Sequence, residues 1–246
     1  MAKQKRWTKI LEELKRKDNI SVNDLIDILN VSPATIRRDL QEMEDLKMIS
    51  RYHGGAKINE NQYVEPSMII KSESNSDKKK KIAITAARLV HDNQMIYIDA
   101  GTSTYEMIKY INAKNITVVT PGIPHVSLLS EKGFNTIILG GIARWSTQAI
   151  TGNQALKQLE EYYFDTCFIG TNAIHERIGF TTSNEMEAST KQLAIAHSKD
   201  AYILADSSKF NKLCPVQFAK LNEATIICDE IKDFDLSLIK YISTNI

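Results

Sequence analysis

Apolar residues recur along the first fifty positions with the spacing of amphipathic helices. Trp7, Ile10, Leu11 and Leu14 fall at i, i+3, i+4 and i+7, one stripe of a first helix. Val22, Leu25, Ile26 and Leu29 repeat the spacing, with Ser21 where a capping hydroxyl belongs. Ser32-Pro33 opens a third helix, because proline at the first helical position forgoes only an N–H that has no partner there anyway. Ile36, Leu40, Met43 and Leu46 make its buried stripe and turn Ala34, Thr35, Arg37, Arg38 and Gln41 outward. Asn30-Val31 is so short a connection that helices two and three must cross steeply, as in a helix-turn-helix over about residues 20–39. Met48 to His53 predicts a strand, and Gly54-Gly55 the turn of a small β-wing that closes a domain at residue 57.

Residues 58–77 show little periodicity and are polar at both ends, the pattern of a linker. From residue 78 to 246 helices and short apolar strands alternate. Helices are expected over Ile82–Val90, Thr104–Ile111, Gln154–Tyr162 and Glu185–His197, and strands over Met95–Asp99, Ile116–Thr120, Thr136–Leu139, Thr166–Ile169, Ala201–Leu204 and Ala224–Cys228. Apolar strands between helices predict a parallel sheet covered on both faces, an α/β domain.

Composition narrows the class. A hydrophobic share of 43% and a charged share of 25% over 246 residues suit two globular domains, one small and one of ordinary size. No apolar run approaches the ~18 residues of a membrane span, and MAKQKRWTK lacks the apolar stretch of a secretory signal, so a cytoplasmic protein is expected. Cys167, Cys214 and Cys228 are odd in number and far apart, which points to reduced thiols and to no metal site. The first 57 residues carry twelve Lys and Arg against nine Asp and Glu, a balance of +3, and the remainder nineteen against twenty-one, −2. A mildly basic end on a neutral body suits a polyanion-binding module.

Thr35, Arg37 and Arg38 sit at the end of helix three that a recognition helix presents to base edges, although two arginines also simply solvate a helix face. Asp39 is expected to brace Arg37, Arg38 or the preceding helix. The Lys78–Lys81 run is a solvated face or a contact to DNA or a partner subunit. In the second domain small and polar residues follow the strands, where α/β sheets bind ligands. Asp99-Ala100-Gly101-Thr102-Ser103-Thr104 combines a glycine turn with three hydroxyls at a helix start, suited to an anion or to plain helix capping. Gly140-Gly141, Gly170-Thr171-Asn172 and Asp206-Ser207-Ser208-Lys209 follow other strands, each open to a turn reading, and together they favour a polar pocket.

The run S-P-A-T-I-R-R-D-L-Q-E-M-E, followed by I-S-R-Y-H-G-G-A, resembles the DeoR family of bacterial regulators, whose pattern V-S-x-x-T-I-R-R-D-L with R-x-H-G-G-A is matched over Val31 to Leu40 and Arg51 to Ala56. D-A-G-T-S-T, L-G-G, D-T-C-F-I-G-T-N and L-A-D-S-S-K-F match the same family's sensor domain, itself similar to ribose-5-phosphate isomerase. The resemblance implies DNA contacts from Ser32, Thr35, Arg37 and Arg38, with Arg51 and His53 in a wing at the backbone or minor groove; an ordinary turn role for His53 stays open. It implies that Thr102, Ser103 and Thr104 hold a phosphate with Lys191 and Lys209, and that Asp99, Arg144, Thr171 and Asn172 face a sugar, Gly101 and Gly141 completing the set. Lys191, on a helix beside Ala188 and Ala194, also suits an ordinary solvated lysine.

Two departures stand out. Where the family commonly has T-N, this chain has Pro121-Gly122, which removes an N–H and an amide. The isomerases place a glutamate base just before the lysine, where this chain has Thr190, with Glu187 one turn away as the nearest substitute. The resemblance therefore implies no catalytic residue and no cofactor. It implies a homo-oligomer, dimer or tetramer, that represses a sugar operon and leaves operator DNA when a phosphorylated sugar binds. G-T-N-A-I, G-F-T-T and N-E-M-E-A look most like repressors of ketose phosphotransferase operons, which favours fructose 1-phosphate. The rival expectations are a working isomerase fused to a DNA-binding domain, and constitutive DNA binding with an inert dimerisation domain.

Overall fold

A computed structural model describes residues 3–45, 49–58 and 68–244. They belong to two compact units, Met1–Ser74 and Asn75–Ile246. The first unit contains α1 (Lys3–Lys17), β1 (Asn19–Ser21), α2 (Val22–Leu29), α3 (Pro33–Asp45), β2 (Ile49–Tyr52), β3 (Gly55–Ile58) and α4 (Met68–Glu73). The expected stripes meet in one core: Trp7, Ile10 and Leu14 from α1, Leu25 and Leu29 from α2, and Ile36, Leu40 and Met43 from α3, with Ile20, Ile49 and Ala56 from the strands. Leu46 and Met48 lie outside the described residues.

Helix α2 starts in a reciprocal capping box, the Asp24 N–H bonding the Ser21 hydroxyl at 3.1 Å while the Asp24 carboxylate accepts the Ser21 N–H at 3.3 Å. It stops at Asn30, whose left-handed backbone (φ 49°, ψ 52°) makes the sharp turn towards α3. Strand β1 has one apolar residue in three, too little to show a period. It nonetheless completes an antiparallel sheet of order β1-β3-β2. The wing turn is His53-Gly54, one residue earlier than expected. Gly54 supplies φ +95°, whereas at Gly55 a Cβ would lie 2.4 Å from the Ile20 carbonyl oxygen, so the two glycines answer to different constraints.

Asp39 corrects the sequence reading. It braces neither Arg37, Arg38 nor α2; it is fully buried and accepts a two-pronged bond from Arg6 of α1, Nε at 2.6 Å and Nη2 at 3.0 Å. The spacing within α3 that places Ile36 and Leu40 inward places Asp39 inward as well, and only a guanidinium from another helix meets it there. Helix α4 and the start of α5 fall inside the stretch expected to be linker; under two turns of α4 show no periodicity.

The second unit contains α5 (Ser76–Ala87), β4 (Met95–Ile98), α6 (Thr102–Ile108), β5 (Thr117–Thr120), α7 (Ile123–Glu131), β6 (Asn135–Ile138), β7 (Ile142–Arg144), β8 (Ala149–Thr151), α8 (Asn153–Leu159), β9 (Phe164–Gly170), β10 (Ala173–His175), β11 (Gly179–Thr182), α9 (Glu185–Ala196), β12 (Ser198–Leu204), β13 (Val216–Ala219), β14 (Thr225–Cys228) and β15 (Lys240–Ser243). Seven strands form a parallel sheet of order β15-β14-β12-β9-β4-β5-β6. Successive residues alternate between its faces. Ile96, Ile98, Val118, Phe168, Leu204 and Ile227 pack with α5, α6 and α7, while Tyr97, Val119, Cys167, Ile169, Ile203 and Ile226 pack with α8, α9 and the antiparallel β10-β11-β13 sheet. The three cysteines are free and buried, and burial pushes the Cys167 and Cys228 thiols up to about 12.

Replacing Asp39 by alanine should cost the first unit about 3–5 kcal/mol, because Arg6 is then left buried without its counter-ion. The double replacement Arg6→Met with Asp39→Leu should cost much less. Urea unfolding of the three proteins makes the comparison, and a double variant as damaged as the single one would remove the pair from the account.

Candidate functional site

On the first unit, α3 offers its first turn and one open face. The Ser32 hydroxyl accepts the Thr35 N–H at 3.3 Å and lies 2.9 Å from the Thr35 hydroxyl, so both hydroxyls serve the helix start. Arg37 and Arg38 are exposed one turn into the helix. Strand β2 is fixed against the far end of α3: the Arg51 N–H bonds Glu44 Oε1 at 2.8 Å, and its guanidinium bonds Gln41 Oε1. Arg51 thereby joins the outer face of α3, and His53 stands exposed at the wing tip.

In the second unit the chain runs outward from β4 through β5 to β6, then returns to place β9 on the other side of β4 and builds β12, β14 and β15 beyond it. The crevice between the carboxyl ends of β4 and β9 is the switch point at which open α/β sheets bind ligands. Asp99, directly after β4, is buried there. Its Oδ2 accepts the Gly170 N–H at 2.9 Å from the end of β9 and pairs with Lys191 of α9, whose ammonium also reaches the Gly170 carbonyl at 3.1 Å. Lys191 is therefore buried and paired, not the solvated lysine its alanine neighbours also suited.

The expected anion loop divides in two. Thr102 and Ser103 are half-exposed at the start of α6. Thr104 is fully buried: its hydroxyl accepts the Gly101 N–H at 2.9 Å, donates to the Asp99 carbonyl at 2.5 Å and meets His125 Nε2 at 3.2 Å. Thr104 thus shapes the loop from below instead of facing outward with Thr102 and Ser103.

His125 escaped the sequence reading because it lies on α7, a helix hidden behind the turn-like P-G-I-P. Its ring sits against Gly122, where a Cβ would come within 2.4 Å of Nδ1, so the Pro121-Gly122 departure makes room for an imidazole under the loop. Burial pushes that imidazole down to about 4, only partly opposed by the Asp99 charge. Arg144, on β7, pairs at 3.2 Å with Glu187 of α9, which also accepts the Thr147 hydroxyl at 2.8 Å. Gly141 (φ +147°) turns the chain from β6 into that hairpin, where a Cβ would lie 2.5 Å from the Thr151 carbonyl oxygen. Thr171 donates inward to the Ala173 carbonyl at 2.9 Å, and Asn172 reaches the Ser183 hydroxyl at 3.3 Å. Lys209 is half-exposed; burial opposes ionisation of the Asp206 carboxyl, but hydrogen bonds from Ser208, the Lys209 charge and Asn75 together draw it below its ordinary value. Asp99, Gly170 and Lys191 are thus brought into contact, and Arg144 is tied to α9 one turn from Lys191. Among the described residues no group of His, Cys, Asp and Glu could hold a metal ion, and no helix is long and apolar enough to cross a membrane.

Comparison with known proteins agrees across both units. Residues 6–62 match the profile of the DeoR-like helix-turn-helix domain, and residues 74–230 that of the DeoR C-terminal sensor domain. The chain is 40% identical over 225 residues, 91% of its length and 90% of the relative's, to a protein of Bacillus subtilis (strain 168) described as an uncharacterized HTH-type transcriptional regulator FruR. It is 31% identical over 239 residues, 96% of its length and 95% of the relative's, to the lactose phosphotransferase system repressor of Staphylococcus epidermidis. Among solved structures, ribose 5-phosphate isomerase A of Methanocaldococcus jannaschii aligns with a TM-score of 0.42 at 17% identity, over 56% of this chain and 55% of that one.

His125 gives the second unit a pH signature. The unfolded chain takes up a proton near the ordinary histidine value of about 6.5, and the folded chain resists it down to about 4. Stability therefore falls as the pH drops through that window, by roughly 3 kcal/mol at the lower end. The stability difference between the natural protein and His125→Gln, followed by thermal unfolding, should shrink between pH 7 and pH 4.5; a difference that stays constant would contradict a neutral buried imidazole.

Proposed function

The chain belongs to the DeoR family of transcriptional regulators, and we propose that it represses a sugar-utilisation operon and leaves its operator when a phosphorylated sugar, fructose 1-phosphate first among them, binds the second unit. The observation that carries the sensor reading is the Asp99–Lys191 pair at the switch point, with the half-exposed hydroxyls of Thr102 and Ser103 at the next turn and Lys209 in the loop after β12. Thr102, Ser103 and Lys209 supply donors for a phosphate, and Asp99, Arg144 and Asn172 polar groups for sugar hydroxyls. The FruR name of the Bacillus relative supports a fructose-derived ligand, while the lactose repressors among the relatives make other phosphorylated sugars the competing arm.

The second unit senses and does not catalyse. Thr190 stands where the isomerases place their base, and its hydroxyl, bonded to the Met186 carbonyl at 2.9 Å, is no general base; Glu187, one turn away, is held at Oε1 by Arg144 and Thr147. Operator binding by α3 and the wing uses Arg37 and Arg38 for base edges, and Ser32, Thr35, Arg51 and His53 for position. The protein acts in the cytoplasm as a homo-oligomer, dimer or tetramer, on paired or repeated half-sites.

Arg37→Ala or Arg38→Ala should weaken binding to an operator fragment by about 1–3 kcal/mol at fixed salt, with sugar-phosphate binding intact. Full affinity in both single variants would remove α3 from base recognition. Fructose 1-phosphate at about 100 times its Kd should add about 2.7 kcal/mol of stability and release the operator without being turned over. The double replacement of Thr102 and Ser103 by alanine should cut that affinity at least tenfold, yet bind operator normally. Isomerisation by the natural protein, or unaltered release in the double variant, would overturn the sensor site as described.

A further inference from the structure

Asn75, the first residue of the second unit, adopts a left-handed backbone (φ 54°) at the start of α5, a conformation asparagine tolerates better than most residues. Its side chain makes no capping bond to its own helix. The carboxamide instead reaches the loop after β12, donating to Asp206 Oδ1 at 3.2 Å and to the Ser208 hydroxyl at 3.4 Å. One turn on, Lys78 donates to the Ser207 hydroxyl at 2.5 Å and pairs with Asp229, directly after β14, at 3.0 Å. Asp229 closes the circuit by accepting the Ser207 N–H at 2.7 Å and its hydroxyl at 3.1 Å. The first turn of α5 is thus bonded to every residue from Asp206 to Ser208, the segment that ends at Lys209.

From this juxtaposition we propose that Asn75 and Lys78 are positioning residues that couple occupancy of the Ser207–Lys209 loop by a phosphorylated sugar to the chain segment leading from the DNA-binding unit. The inference rests on the sensor reading above and adds the route by which it acts. An anion held by Ser207 and Lys209 competes with Asp229 for the Ser207 hydroxyl and with Asp206 for Lys209, and its charge repels both carboxylates. Lys78 and Asn75 bond to those same groups, so the start of α5 must re-pair when the loop does. Asn75 alone separates that helix from Ser74, the last residue of the first unit, so the joint between the units' chain segments answers directly to the ligand.

The test uses the full-length protein, an operator fragment selected from random DNA, and a panel of fructose 1-phosphate, fructose 6-phosphate and galactose 6-phosphate. The coupling is the ratio of operator Kd with and without the sugar phosphate. In Lys78→Met combined with Asn75→Ala it should fall at least fivefold, with sugar-phosphate affinity and ligand-free operator affinity each within threefold of the natural protein. Lys78→Arg, which keeps a cation within reach of Asp229, should restore most of it, an outcome that general loosening of the fold would not give. Undiminished coupling in the double variant would overturn the proposal. So would a tenfold loss of sugar-phosphate affinity, which would make these residues part of the binding site itself. If no sugar phosphate on the panel releases the natural protein, the sensor reading fails first and the coupling route falls with it; release in both proteins alike sinks the route alone.

Discussion

The Asp99 carboxylate accepts the Gly170 N–H at 2.9 Å and pairs with Lys191, so one side chain ties together the two strands between which the sheet changes direction and the helix that covers them. Each group would be costly alone, since a buried charge that loses its partner costs about 3–5 kcal/mol. Together they hold the strand ends in a fixed relation. The backbone around them then has little freedom: Gly170 is held by both its N–H and its carbonyl, and the Asp99 carbonyl is held by Thr104. The turn carrying Thr102 and Ser103 therefore starts from a rigid base, with a neutral imidazole filling the space beneath it. Neutrality matters, because charging His125 in so buried a place costs more than the nearby Asp99 carboxylate returns.

The first unit meets the same requirement with different parts. A helix that exposes its outer face must still keep its orientation on the domain, and α3 is held from behind by Arg6 and from one end by Glu44 and Gln41 gripping Arg51. Asp39 lies on the buried side of α3, where Arg6 neutralises its charge within the domain and leaves the exposed side to Arg37 and Arg38. This gives a physical reason for a carboxylate in the run R-R-D, which the sequence by itself leaves ambiguous.

Long-period features were legible in the sequence and short ones were not. The stripes of α1, α2 and α3 and the apolar strands β4, β9, β12 and β14 announce themselves because many residues repeat one pattern. Strands of three residues such as β1, β7, β8 and β10 do not, and α7 was masked by prolines and a glycine that elsewhere mean a turn. Strand-end chemistry at Asp99, Gly170 and Asp206 was legible because parallel sheets put it all on one edge. The partners were not legible. That Asp39 pairs with Arg6, Arg144 with Glu187 and Lys78 with Asp229 depends on which elements the topology makes neighbours, at separations of thirty residues and more along the chain. Thr104 shows the same limit from the other side, since its hydroxyl stands in an anion-loop motif and is spent on that loop's own backbone.

The ion pairs of the chain divide by exposure, and the division matches what each has to do. Arg6 and Asp39 are 8% and 0% exposed, and Lys191 and Asp99 8% and 7%, so exchanging partners there would strand a charge in a dry interior. The Lys78–Asp229 pair has one member 42% exposed. Water stabilises the freed ammonium, while Asp229, 9% exposed, keeps the Ser207 N–H and hydroxyl as donors when the lysine leaves. Coupling between sites typically amounts to about 1–3 kcal/mol, a scale at which a few half-exposed contacts can be traded for contacts to a ligand. Fully buried pairs would resist a trade of that size. A switch built on them would stay in one state, whereas beside the Ser207–Lys209 loop the buried carboxylates of Asp206 and Asp229 are met by the half-exposed Lys78, a partner that water can receive.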